Sequence, residues 1–175
     1  DGRLVDGIAA ERELLCPLRE GADLVVDTST VTVPRLRQTL ERAFGPEAEP
    51  ATRVTLVSFG YKYGLPMDSD LVVDVRFLPN PFWIPELREH TGRDEPVRDY
   101  VLSQEGAGEF VDRYLELLRL VGAGYRREGK RYLTVSVGCT GGKHRSVAVS
   151  EEIARRLAGQ EGVTVNVTHR DLGRE

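Results

Sequence analysis

The feature that most constrains this chain is the passage from Tyr132 to Leu157. The apolar run Tyr132-Leu133-Thr134-Val135-Ser136-Val137 leads into Gly138-Cys139-Thr140-Gly141-Gly142-Lys143-His144-Arg145-Ser146, and a helical pattern follows over 144–158. A buried strand, a Gly-rich turn and a helix, in that order, aim several backbone N–H groups at one spot. The helix start there carries partial positive charge. Glycine lets the backbone approach closely, and Lys143, His144 and Arg145 add positive or protonatable groups. Cations are disfavoured at a helix start, and an anion would relieve that conflict. The loop therefore predicts an anion site, with phosphate the first ligand to consider.

The rest of the chain sets this loop in an α/β framework. Arg53-Val54-Thr55-Leu56-Val57-Ser58-Phe59 reads as a strand ending at Gly60, Asp70 to Phe77 as a second, and 163–168 as a last. Helical patterns cover 94–104 and 108–125, the latter with Phe110, Tyr114, Leu117, Leu118 and Val121. Pro79, Pro81 and Pro85 predict extended, non-helical chain. Strands alternating with helices predict a mostly parallel sheet flanked by helices. Nearer the N-terminus, 5–20 reads as a helix and Ala22-Asp23-Leu24-Val25-Val26-Asp27 as a short buried strand. Pro34 then opens a helix through Leu36, Leu40 and Phe44, stopped at Gly45-Pro46. The run Gly45-Pro46-Glu47-Ala48-Glu49-Pro50 has linker composition, which divides the chain into 1–50 and 51–175.

Charge narrows the function classes. Residues 1–51 hold six Lys/Arg against ten Asp/Glu, and 52–175 hold eighteen of each, so the net −4 sits in the N-terminal third. Nucleic-acid binders carry a basic footprint, and the chain as a whole has none. No apolar run approaches the roughly 18–20 residues that span a bilayer, and no signal peptide is visible. A start at Asp1 rather than Met leads us to expect a fragment. Cys16 and Cys139 make no disulfide framework, which predicts a reducing cytoplasm.

Three blocks carry chemistry. The spacing Cys139-x5-Arg145-Ser146 is that of protein-tyrosine-phosphatase loops, in which a thiolate attacks phosphorus and an arginine clamps the phosphoryl oxygens. Asp74, Asp94 and Asp99 are candidate acids for such a reaction, and binding and turnover both stay open. A Walker A motif fails: Gly138 and Gly142 are too close, and His144 stands where a hydroxyl is needed. The second block, Ser58-Phe59-Gly60-Tyr61-Lys62-Tyr63-Gly64-Leu65-Pro66, follows a strand and brings Lys62 toward the sheet's carboxyl edge. In the third, Asp74 to Trp83, alternation puts Asp74 and Arg76 on one face, and Asn80 between prolines offers a fixed amide to a sugar hydroxyl. Both also read as ordinary aromatic-packed turns. His90 and His169 lack metal-site spacing, so no metal is expected, while His169-Arg170 near the C-terminus is a further candidate to reach an anion.

Taken together, Val57 to Pro66, Asp74 to Trp83 and Leu133 to Val147 resemble the RapZ/YvcJ family of bacterial nucleotide-binding proteins, in order and spacing, with Leu87-Arg88 and Thr91-Gly92 between them. The resemblance covers 52–170, and residues 1–50 resemble the tail of the family's N-terminal P-loop, kinase-like domain plus linker. It implies that 51–175 is a C-terminal regulatory domain similar to the sugar-phosphate-binding part of phosphofructokinase. The expected ligand is a phosphorylated amino sugar such as glucosamine-6-phosphate, or another small anion. Carried over by motif, ligand contacts fall on Lys62, Asp74, Arg76, Cys139, Thr140, Gly141, Gly142, His144, Arg145 and Ser146. The resemblance also implies RNA and a ribonuclease as partners, a homo-oligomer and no membrane. ATP or GTP is expected only for a full-length protein carrying Walker A, and this piece is expected to be no enzyme. Phe82 stands where the enteric pattern has His, and the strongly basic enteric C-terminus is replaced by His169-Arg170-Asp171-Leu172-Gly173-Arg174-Glu175. Phosphate contacts dominate RNA affinity, so the second departure weakens an RNA role.

Overall fold

A computed structural model of the chain describes residues 3–22, 24–44 and 52–174, within two compact units, Asp1–Ala48 and Glu49–Glu175. The first unit contains α1 (Leu4–Leu14), α2 (Cys16–Glu20) and α3 (Val33–Phe44). The single helix expected over 5–20 is broken at Leu15, because Pro17 has no N–H and its ring crowds the preceding turn. Pro17 sits instead in the first turn of α2, where a missing donor costs nothing. The described residues of the strand expected at 22–27, Ala22 and Leu24 to Asp27, form no strand. Among the described residues this unit has no second strand to pair with, so the segment runs as irregular chain. Asp23 and the linker-like run 45–50 lie outside the described residues.

In the second unit, β1 (Thr52–Gly60), β2 (Leu71–Asp74), β3 (Tyr132–Cys139) and β4 (Val163–His169) form one sheet in the order β2-β3-β1-β4. Every neighbouring pair is parallel, so the α/β expectation holds. All four carboxyl ends therefore share one edge, where Gly60 lies beside Cys139 and Asp74 beside Gly138. Between the strands come α4 (Pro85–Arg88), α5 (Glu95–Leu102) and α6 (Ala107–Arg127), which precede β3, and α7 (Arg145–Leu157), which follows it. Alternate strand residues Val54, Leu56, Leu133, Val135 and Val137 pack with Val101 of α5, Val111 and Leu118 of α6 and Val149 and Ile153 of α7. Each such side chain contributes about 1.5–3 kcal/mol on burial. On the opposite face Arg53, Thr164, Asn166 and Thr168 remain exposed.

Two local expectations change near the site. The second strand ends at Asp74 rather than Phe77, because the Asp74 carboxylate accepts the Arg76 backbone N–H at 2.9 Å and turns the chain. Asp74 and Arg76 thus meet through a turn and not through strand alternation. Pro81 and Pro85 do not hold extended chain either. They open a 3-10 turn (Pro81–Trp83) and α4, with the Asn80 side chain accepting the Phe82 N–H at the first of these.

Candidate functional site

Two loops meet where β1 and β3 end. The Lys62 N–H donates to the Thr140 carbonyl at 3.2 Å, and a Cβ on Gly60 would stand 2.6 Å from the Gly141 carbonyl carbon. Gly142 has a φ of 81°, so only glycines allow the backbones to come this close. α7 begins immediately afterwards, with no side-chain cap at His144 and no acidic residue in its first turn. Its orphan N–H groups and dipole are therefore directed toward the loop.

A cleft of about 480 Å³ opens over this junction, within the range of small-molecule sites. Of the residues anticipated from sequence, Lys62, Cys139, Thr140, Gly141, His144 and Arg145 line it. The other four take different places. Arg76 donates to Asp74 at 2.6 Å and lies 4.0 Å over the Tyr61 ring, forming a closed pair. The Arg76 hydrogen bond holds the Asp74 carboxyl below its usual range against the opposing effect of burial. The Gly142 N–H donates to the Cys139 sulfur at 3.2 Å, and the buried Ser146 hydroxyl lies 3.1 Å from the same sulfur.

Arg145 is 5% exposed. One Nη donates to the carbonyls of Arg76 (3.1 Å) and Leu78 (2.8 Å), and the other to the Thr140 hydroxyl (3.2 Å). Nε has no hydrogen bond among the described residues. The guanidinium is thus held rigidly at the cleft, with one Nη2 N–H remaining for a ligand. His144 behaves differently. Burial pushes its pKa down, more than carbonyl contacts raise it, and Nε2 donates to the Arg88 carbonyl at 3.2 Å. Its hydrogen bond fastens the end of α4 to the loop, and burial disfavours its charged form. The Lys143 carbonyl adds a second fastening by accepting the Gly92 N–H at 2.9 Å.

The far wall consists of Asn80, Phe82, Trp83, Arg88 and Glu89. Asn80 and the aromatic pair belong to a block that sequence singles out, but Arg88 and Glu89 reach the cleft only because α4 folds back. No periodicity signals that. Lys143, inside the loop motif yet outside the set implied by the resemblance, also lines the cleft, and its side chain has no ion pair or hydrogen bond among the described residues. Among the described residues that line the cleft, four are thus cations (Lys62, Arg88, Lys143, Arg145) and one is a carboxylate, Glu89. The candidate acids lie elsewhere: Asp74 on Arg76, Asp94 on Thr91 at 2.7 Å, and Asp99 on Arg98 at 2.9 Å. His90 is 3.7 Å from Asp94, while His169 bridges Ser58 and Glu151 at 2.8 and 2.9 Å.

Fold and cleft together define an α/β domain with a cation-lined cleft at the carboxyl edge of its parallel sheet. The chain belongs to the RapZ family: residues 52–173 match the RapZ C-terminal domain, and 1–48 match the RapZ-like N-terminal domain. It is similar to a nucleotide-binding protein of Saccharopolyspora erythraea, 70% identical over all of this chain and 60% of that protein. Similar proteins, also named nucleotide-binding, occur in Streptomyces coelicolor (66% identical, all of this chain, 58% of that protein) and Mycolicibacterium smegmatis (65%, 98% and 59%). The chain therefore spans about 60% of the length of these curated relatives. Among the described residues no helix is long and apolar enough to cross a membrane.

Proposed function

We propose that the second unit is the regulatory, ligand-binding part of a nucleotide-binding protein, and that its cleft takes a phosphorylated amino sugar such as glucosamine-6-phosphate. The observation that carries this reading is the set of cations lining the cleft at the uncapped start of α7, with the Lys143 side chain making no ion pair among the described residues. A phosphate there accepts from the loop amides, Lys143 and the remaining Arg145 N–H. Asn80 and Glu89 on the far wall then face the sugar, Glu89 being suited to an ammonium group. Calorimetry with glucosamine-6-phosphate, glucosamine and inorganic phosphate tests this. The phosphosugar should bind saturably and more tightly than either fragment; equal or absent binding of all three would refute it.

A second reading rests on one specific observation. Cys139 lines the cleft, and its sulfur faces the Gly142 N–H and the Ser146 hydroxyl, both able to stabilise a thiolate. Turnover of an aryl phosphate that disappears in Cys139→Ser would support a phosphatase and displace the sensor reading. With each candidate aspartate engaged elsewhere, we expect binding without turnover.

A further inference from the structure

The five residues after β4 fold against the segment that carries Lys62. Asp171 is 0% exposed, and its carboxylate accepts the Gly60 backbone N–H at 2.8 Å. The same carboxylate holds Arg170 at 2.6 Å and Arg174 at 3.0 Å. Arg170 also donates to the Gly64 carbonyl at 2.8 Å and lies 5.5 Å over the Phe59 ring. The Tyr63 hydroxyl donates to the Arg174 carbonyl at 2.6 Å. Every one of these contacts beyond the turn itself is to residues 59–64.

That segment brings Lys62 to the cleft and packs against the loop that forms its floor. Gly60 touches the Gly141 backbone, Lys62 is tied to Thr140, and a Cβ on Gly142 would come within 3.1 Å of the Asp171 Cβ. Asp171 therefore lies behind both loops at once. A buried carboxylate is costly unless paired: Arg170 and Arg174 pair with this one inside the turn, and docking adds the Gly60 N–H. Arg174, by contrast, is more than half exposed, so the turn is held from its outer side by groups that water can replace. Segments held mainly by exposed contacts open at the low end of a protein's stability range.

We propose that Arg170–Arg174 is a latch on the anion cleft, with Asp171 as its positioning residue, so that docking of this turn and occupancy of the cleft reinforce each other. The inference rests on the cleft reading above. A ligand held by Lys62 and the 140–145 loop makes its full contacts only when both loops are in register, and so binds the latched form better. Coupling is reciprocal: ligand must tighten the turn by the factor by which the docked turn tightens ligand. Anything that pulls the turn away, a partner or a following segment, would then release the ligand.

The test uses the 175-residue chain, with glucosamine-6-phosphate and inorganic phosphate as probes. Amide exchange of 58–64 and 168–174 is followed with and without probe, and affinities are compared for wild type, Asp171→Asn and Arg174→Ala. Saturating probe should slow exchange in the 168–174 turn, a response that a purely structural role would not give. Asp171→Asn should weaken binding about tenfold and Arg174→Ala less, with α5 and α6 exchange unchanged. If Asp171→Asn does not fold, Arg174→Ala decides, because its side chain is exposed. Wild-type binding that is undiminished in the folded variants, or a turn indifferent to saturating probe, overturns the latch and leaves the cleft reading intact. No binding of either probe to wild type overturns both.

Discussion

The second unit has two clefts of similar size at opposite edges of one sheet, about 480 Å³ at the carboxyl edge and about 420 Å³ at the amino edge. Both contain arginines, so neither size nor charge alone separates them. What separates them is the direction of the neighbouring helix. At the amino edge, Arg126 lies in the last turn of α6, where the dipole favours a cation, and it donates to the Thr52 hydroxyl at 3.3 Å. That charge is explained by the fold. At the carboxyl edge, Lys143 and Arg145 flank the first turn of α7, where the dipole opposes them. There the fold leaves an electrostatic conflict that the proposed anion would resolve.

The largest break in this contrast should come from Arg145→Ala. It removes three hydrogen bonds from a buried guanidinium and frees the Arg76–Leu78 turn. Charged hydrogen bonds are each worth about 1.5–3 kcal/mol, so stability in urea should fall by about 3 kcal/mol or more, and phosphosugar affinity about 100-fold. Binding that survives in a folded variant would place the anion elsewhere. Next comes a matched pair. Lys143→Ala should cost about tenfold in affinity with little change in melting temperature, since it loses one charge-assisted contact and no packing. Arg126→Ala at the other edge should cost less than about 1 kcal/mol of stability and leave affinity unchanged. Equal losses of affinity from the two would erase the distinction between the edges.

The contrast was half legible in the sequence. The strand-Gly-helix order from Tyr132 to Leu157 fixes where the loop lies, because period and turn chemistry are local. The parallel arrangement followed from the alternation of elements, and all four strands were visible, though the second was overextended. Its error was physical: Asp74 ends the strand by capping the Arg76 N–H, a side-chain choice that alternation cannot show. The far wall was out of reach for a related reason. Arg88 and Glu89 are placed by His144 and Gly92 hydrogen bonds spanning more than fifty positions. In the first unit the strand pattern at 22–27 was real as a pattern, but a strand needs a partner, and pairing is not written in one segment.

The smallest effect concerns His144, and it asks whether this imidazole belongs to the site's charge or to its scaffold. Burial holds its pKa below 6.5, with Lys143 adding to the lowering. An imidazolium clamp would lose affinity for phosphate as pH rises through about 6.5. A neutral His144 leaves only the ligand's second ionisation near pH 6, so affinity should change by less than about twofold between pH 6.5 and 8. Stability should carry the opposite signature. Below about pH 6.5 the unfolded chain's imidazole takes up a proton that the folded one refuses, so stability falls as pH drops from there toward the depressed folded value. Asp74, Asp171 and Glu152, all held below their ordinary pKa and Glu152 at about 2, stay ionised through this window and do not imitate the effect. Urea midpoints at pH 5 and pH 7.5 should therefore differ more in wild type than in His144→Gln, which can still donate to the Arg88 carbonyl but cannot titrate. A decline in phosphosugar affinity above pH 6.5 that vanishes in the same variant would move His144 from the scaffold to the charge.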